Sequence, residues 1–506
     1  MGGVPAACPR DRRLCMLPRP DFSTFAGGIS VKTFFRALAG CAAFAALFAL
    51  IVLLANTYLI QTDTITALTL REMQAREDIE LAFVGSSVVR DHFNVQLITE
   101  KTGLTAFNVT VPCASMPANI ALTKELYRTN SPQWVVLVVE PYTFQTPRED
   151  TEAEYKLMPF LSDWKNRLEY YLRLCDEDGY YLDRLFIFRE FGVKSLRDIA
   201  KTVGLRHWPE ETYALLQPSM DPTVSYQGSG FLRHTTDERA DDLVRKSVFR
   251  EYTGYYYELF DKSKAELLEY KALCESHGSN LLILLSPNLA AHALAEPGFL
   301  EYGESLMRFC RDNGIACFNF LFARPEFMPS LDGYYFDLYH MVGEGADILS
   351  DAFCRFFRLY TSGEDVTSLF YENSAAYLES IDEITNAWVT QYDSSCAWNL
   401  AWDQDEAAVT AAAQTQDVFM ADCNRGTLVT PEYRFVRVEP DGSETILQDY
   451  STETLYLCAP GELDGQTLRL YARPQGQEDA QPDWFELTVG ETSCATPGAL
   501  AHSSSS

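Results

Sequence analysis

Basic residues are scarce in this chain of 506 residues: 41 Lys and Arg stand against 71 Asp and Glu, a formal net charge of −30. Phosphate backbones are held by clustered lysines and arginines, so nucleic acid is excluded as a partner. The same imbalance makes an anionic polymer an awkward substrate unless a cation or a local basic patch intervenes. Histidines number only seven, which leaves few candidates for a catalytic imidazole. The 13 cysteines form no Cys-x-x-Cys and no pair with zinc-site spacing, so no metal and no cofactor are expected. What the chain does have is 13% aromatics, enough for sizeable cores and for surfaces that stack on sugar rings.

Residues 1–30 carry Arg10, Arg12, Arg13 and Arg19 among Pro and Gly without periodicity, and read as a disordered basic tail. From Ala37 to Ala55 no charge occurs, and Asn56 to Ile60 extends the run, so residues 34–60 have the length of a bilayer span. Basic residues outnumber acidic ones ahead of this span and acidic ones dominate after it. The positive-inside rule then places the amino terminus in the cytoplasm and the bulk outside, a single-pass protein of the cell membrane. A cleaved signal peptide is the alternative, but the apolar run is long and no small-x-small site follows. A polar helix over Gln61 to Asp78 is expected to lift the rest off the membrane.

Apolar strands are predicted at Leu81–Val84, Ala106–Val111, Trp134–Val139, Asn280–Ser286 and Ala316–Phe320. Amphipathic helices are predicted at Ala118–Thr129, Lys262–Ser276 and Leu300–Asn313. Alternation of this kind points to a doubly wound parallel α/β sheet over residues 75–358. Residues 145–261 interrupt it with a helical, aromatic-crowded insertion holding Tyr155, Phe160, Trp164, Tyr170, Tyr171, Tyr180, Tyr181, Phe186, Phe188, Phe191 and Tyr252 to Tyr257. Leaving a strand at its carboxyl end, the insertion is a lid or a sugar-stacking platform, or its aromatics form a small core of their own. Thr361 to Asp365 reads as a linker. Short strands at Arg434–Val438, Thr445–Leu447, Thr454–Leu457 and Thr467–Tyr471 predict a β-sandwich over 383–490, ahead of a disordered tail at 491–506. Cys396, Cys423, Cys458 and Cys494 could supply one or two disulfides there.

The chemistry concentrates in Leu81-Ala-Phe-Val-Gly85-Ser86-Ser87-Val-Val-Arg90. A buried strand breaks at a glycine, and Val88 to Ile98 follows with a helical pattern that puts Val89, Phe93 and Leu97 on one face. Such a turn pushes a side chain out at the carboxyl edge of a sheet and aims new-helix N–H groups at whatever binds there. Far downstream, Asp337-Leu-Tyr-His340 precedes a helix built on Ile348, Leu349, Ala352, Phe353 and Phe356. Two intervening residues let the carboxylate orient the imidazole, which can then activate a serine. Each residue alone has a bland reading: Ser87 as a helix cap, His340 as a satisfied buried histidine, Asp337 as a cap at a helix start.

Taken in order, these blocks resemble the SGNH/GDSL hydrolases, with Gly85-Ser86-Ser87 standing for the Gly-Asp-Ser block and Asp337-x-x-His340 for the terminal Asp-x-x-His block. Phe107 to Ser115 and Val135 to Tyr142 are similar to membrane-anchored, cell-surface members, including teichoic-acid D-alanylation and polysaccharide O-acetylation proteins of bacteria. The resemblance implies an SGNH/flavodoxin-like fold and an extracytoplasmic serine esterase or O-acyltransferase acting on a cell-surface polysaccharide or wall polymer. It also implies a multi-span acyl-exporting membrane protein as partner. Ser87 is the implied nucleophile, being third in its block, with His340 as base and Asp337 as its orienter. The implied oxyanion donors are the backbone N–H groups of Ser87 and Cys113. Here the chain departs from the family: Pro112-Cys113-Ala114 replaces a glycine, and Glu140-Pro141-Tyr142 stands where an asparagine is usual. The alternative is a catalytically silent scaffold that binds glycans or adheres to the wall. Tyr433 to Arg473 is similar to three-tyrosine repeat modules of bacterial surface proteins, which bind or space.

Overall fold

The computed structural model describes residues 31–58, 64–144, 157–178, 220–237, 259–295, 298–381, 384–392 and 406–490. The chain divides after Thr57 into two units. The first holds most of α1 (Val31–Tyr58), which is long and apolar enough to cross a membrane through Phe34–Val52. Its large side chains, among them Phe34, Phe44, Leu47 and Ile51, are exposed, as an apolar medium around the helix would favour.

The second unit begins with α2 (Ile65–Gln74), β1 (Leu81–Gly85), α3 (Ser87–His92), α4 (Val95–Thr102), β2 (Ala106–Thr110), α5 (Met116–Leu126) and β3 (Trp134–Val139). After α6 (Trp164–Asp178) comes a hairpin of β4 (Val224–Gly228) and β5 (Phe231–His234). Then follow α7 (Asp261–Ser276), β6 (Asn280–Leu285), α8 (Ala290–Ala295), α9 (Phe299–Asp312), β7 (Ala316–Asn319), α10 (Gly343–Ser362) and α11 (Ser374–Glu379). Strands β1, β2, β3, β6 and β7 form one parallel sheet in the order β2-β1-β3-β6-β7. Their alternation is complete. Ala82, Val84, Val135, Leu137 and Ile283 enter one core, with α5 and α7; Leu81, Phe83, Val136, Val138 and Leu282 enter the other, with α10. Both faces being covered is why β1 and β3 are apolar from end to end. The strand order reverses beside β1, and ligands of such sheets bind outside the carboxyl ends at that crevice.

Several expectations are corrected. The segment expected as a polar stalk is α2, whose Ala67, Leu68, Leu70 and Met73 are buried in the domain. The helix predicted from Val88 to Ile98 is two helices: Phe93 is extended, and the Asn94 side chain accepts from Leu97 N–H to start α4. Buried there are Val95 and Ile98, with Leu97 only partly so.

Within 145–261 the described residues include a hairpin as well as helix. Ser229 has φ 52 and Gly230 φ 79, and a Cβ at Gly230 would come within 2.1 Å of the Asn108 carbonyl oxygen. Tyr170 belongs to the main core and Trp164 is 66% exposed, so these aromatics form no separate core among the described residues. Tyr155, Tyr180, Tyr181, Phe186, Phe188, Phe191 and Tyr252 to Tyr257 lie outside the described residues.

The predicted linker is also replaced. Helix α10 runs to Ser362 and ends on left-handed Gly363, after which Val366, Phe370 and Tyr377 pack back onto the domain. Residue 358 is therefore not its boundary.

The C-terminal part comprises β8 (Ile384–Gln391), a short α12 (Glu406–Ala412), β9 (Asp417–Arg425), β10 (Pro431–Val438), β11 (Glu444–Ser451), β12 (Leu455–Cys458), β13 (Thr467–Pro474) and β14 (Asp483–Thr488). Two antiparallel sheets, β11-β10-β13-β14 and β12-β9-β8, share a core that includes Val389, Phe419, Tyr433, Phe435 and Leu470. Strands β8, β9 and β14 and helix α12 had no sequence counterpart. Cys423 and Cys458 are buried free thiols rather than disulfide partners. Cys396 and Cys494 lie outside the described residues.

Candidate active site

Gly85 closes β1 because nothing larger fits: a Cβ would lie 2.6 Å from Val89 Cγ2 and 2.8 Å from the Val138 carbonyl oxygen. Ser86 is the N-cap of α3, its Oγ accepting from Val88 N–H at 3.2 Å. The cap is therefore Ser86, which leaves Ser87 as the first helical residue, with an N–H that has no acceptor within the helix.

Ser87 Oγ lies 2.8 Å from His340 Nε2. His340 Nδ1 lies 2.8 Å from Asp337 Oδ2 and 3.0 Å from Oδ1. Asp337 Oδ1 also accepts the backbone N–H groups of Tyr339 (2.8 Å) and His340 (2.7 Å). One carboxylate thus shapes the turn and orients the ring. With Asp337 able only to accept, the pattern assigns the proton to Nδ1 and leaves Nε2 to accept from the serine hydroxyl. The three residues expected from sequence meet at one edge of the sheet.

A second histidine anchors the loop that carries the first. His92 Nε2 bonds the Tyr339 carbonyl at 2.9 Å and Nδ1 bonds Ser286 Oγ at 2.9 Å. A carbonyl cannot donate, so Nε2 carries the hydrogen and Ser286 donates to Nδ1. Burial, helped by the neighbouring His340 charge, pushes the His92 pKa down to about 3, which keeps this strut neutral.

Charges crowd the site that sequence reading did not assign to it. Asp91 is 1% exposed, paired with Arg90 through Nε–Oδ1 at 2.7 Å and a second bond at 2.8 Å. Its Oδ2 lies 3.9 Å from His340 Nε2 and 3.6 Å from Nε2 of His234, which the hairpin delivers. Burial opposes the Asp91 charge, yet Arg90 and the two histidines hold its carboxyl well below the usual range. Burial would lower the His340 pKa, but Asp337 and Asp91 outweigh it and raise the pKa above that of an ordinary histidine. Burial would raise Asp337; the hydrogen bond from His340 and the backbone N–H groups lower it instead. The signal available in the sequence was spacing: Asp91 is four residues after Ser87, one turn along the same helix face.

Cys113 follows β2 with φ 52, a left-handed conformation that glycine adopts freely and a β-carbon resists by about 1 kcal/mol. Its side chain is exposed. Glu140 Oε2 accepts from Ser86 Oγ at 2.7 Å, so this carboxylate sits one hydrogen bond from the serine turn. It lines a pocket at the carboxyl ends of β3, β6 and β7 together with Leu285, Asn288, Leu300 and Tyr339. Compared with protein-family models and with curated proteins, the chain matches none.

Proposed function

We propose that this chain is a membrane-tethered serine esterase or O-acyltransferase of the SGNH kind, working through an acyl-enzyme on cell-surface carbohydrate polymers. One observation carries the reading: Ser87, His340 and Asp337 stand in hydrogen-bonded series at the carboxyl edge of a parallel sheet. His340 Nε2 takes the Ser87 proton as Oγ bonds to the ester carbonyl carbon. The tetrahedral intermediate expels the alcohol, which collects the proton from Nε2, and Ser87 is left acylated. Water or a sugar hydroxyl then repeats the sequence in reverse.

The N–H groups of Ser87 and Cys113 are the proposed oxyanion donors. Loss of one such donor typically costs about 10²–10³ in rate. Helix α1 is the proposed anchor, with the amino terminus in the cytoplasm and the catalytic unit outside. Transfer, as opposed to hydrolysis, would draw its acyl group from a multi-span exporting partner.

Glu140 favours a second reading, because a carboxylate next to the serine turn opposes a developing oxyanion. On that reading the same scaffold binds glycans without turning them over. Labelling of the full chain with a fluorophosphonate decides between them. The esterase reading expects adduct on Ser87 in wild type and none in Ser87→Ala or His340→Ala; an unlabelled wild type leaves the binding scaffold.

A further inference from the structure

The triad uses one carboxylate, yet His340 has two. Asp337 is 38% exposed and reaches Nδ1. Asp91 is buried and faces Nε2, the nitrogen that exchanges protons with Ser87. Nothing about Asp91 is loosely held. It lies one helical turn beyond Ser87, and Arg90 grips both of its oxygens. Sharing its Oδ2 is His234 at the end of β5, whose Nε2 is buried with no hydrogen-bond partner among the described residues. Phe336 lies against both histidine rings, 4.4 Å from His234 and 5.9 Å from His340 between centroids.

We propose that Asp91 is a positioning residue for the Ser87–His340 reaction, a second carboxylate that holds the imidazolium through its Nε2–H during the tetrahedral intermediate, before the leaving group departs. This rests on the esterase reading above. In the resting site Nε2 faces Ser87 Oγ. Once the proton has moved, Oγ is committed to its new bond with the tetrahedral carbon, and Nε2–H needs another acceptor. Asp91 Oδ2, 3.9 Å away, is the fixed negative charge on that side. It keeps the ring in place with its acidic hydrogen until the leaving alkoxide takes it. No atom of Asp91 joins the reaction, and no proton passes to it.

The charged and titratable groups around His340 act in opposite senses. Asp337 from its own loop and Asp91 from α3 favour the charged ring. Arg90 from α3 opposes it, and His92 from α3 and His234 from β5 would oppose it if protonated. An opposite charge within ~4–6 Å moves a pKa by about 1–3 units; the His340 side chain is partly exposed, so removing the Asp91 charge should move it down by about one pH unit, and removing Arg90 as well returns part of that.

The test separates this proposal from the reading it rests on. In full-length Ser87→Ala protein in detergent, the rate at which diethylpyrocarbonate modifies His340, followed by peptide mass spectrometry, is measured against pH. Substituting Asp91→Asn is expected to lower the midpoint by about one unit, the low end of the range for one nearby charge. With Ser87 restored, the acid limb of fluorophosphonate labelling is expected to fall by the same amount.

Asp91→Asn leaves Arg90 without its partner, so thermal melting is recorded alongside. The pair Arg90→Gln with Asp91→Asn, which leaves no lone buried charge, is carried as the second variant. It shifts the midpoint in the same direction but less. An unchanged His340 midpoint in whichever variant is folded overturns the role of Asp91, whereas a wild type that never labels sinks only the esterase reading.

Discussion

Substituting Asp337→Asn tests the orientation of the triad more sharply than removing the side chain. In the native site Asp337 Oδ1 accepts two backbone N–H groups, at 2.8 and 2.7 Å, and Oδ2 faces His340 Nδ1 at 2.8 Å. An asparagine keeps its carbonyl oxygen on the two backbone donors, because its NH₂ cannot accept them. The amide N–H then points at His340 Nδ1 and forces the ring proton onto Nε2. There it meets Ser87 Oγ as a donor, and the general base is lost. A buried triad loses about 10⁴ in turnover from this tautomer error. Asp337 is 38% exposed, and solvent weakens the grip on the wrong tautomer, so about 10³ is the expected loss here.

The assay is the pseudo-first-order rate of fluorophosphonate labelling across pH 5 to 9. Wild type should rise with pH along an acid limb placed above about 6.5, the ordinary histidine value, since the net effect on His340 is upward. The same shift ties stability to pH. The contribution of His340 is fully present below that ordinary value and is lost as pH rises through the raised folded one. Asp337, lowered, contributes in the opposite sense, losing its share as pH falls through its own folded value. A folded Asp337→Asn variant labelling within tenfold of wild type would refute the tautomer argument.

The other predictions concern the turns that frame the serine. Gly85→Ala forces a Cβ against Val89 and the Val138 carbonyl and should destabilise the domain by about 1–3 kcal/mol, read as a lower thermal midpoint; an unshifted midpoint would show that β1 and β3 can separate there. Cys113→Gly relieves the left-handed strain and should stabilise by up to about 1 kcal/mol in chemical denaturation, while an increase in unfolding would mean that the thiol side chain outweighs the strain. Labelling at Ser87 should survive that change, because glycine retains the N–H.

The sheet was legible because its inner strands are buried on both faces, and Leu282 to Leu285 or Val135 to Val139 allow no solvent-facing alternative. Ser87, Asp337 and His340 were legible through spacing and through the glycine break at Gly85. Asp91 was not, since a charge inside a short helix ordinarily faces water, and only the approach of His340 and β5 turns it inward. His234 was hidden for the same reason: Gly228-Ser229-Gly230 signals a tight turn, but the strands flanking it sit among helix-like, aromatic-rich sequence. Local pattern also failed at Phe93, where the helical period continues on paper while Asn94 starts a new helix. The buried thiols of Cys423 and Cys458 could not be told from disulfide partners, because pairing depends on sheets that sequence does not juxtapose.

The docking of the β4–β5 turn changes what the excursion in the middle of the chain is for. Strand β2 is the outermost strand on its side, and an outermost strand offers bare amide and carbonyl groups to any passing chain. The Ser229 carbonyl occupies the Asn108 N–H, and Glu72, Gln96 and Asp347 hold the ribbon from three helices. A trimmed protein lacking the ribbon would lose its guard against self-association and the arm bearing His234 in one cut, so poor solubility and altered proton chemistry should arrive together.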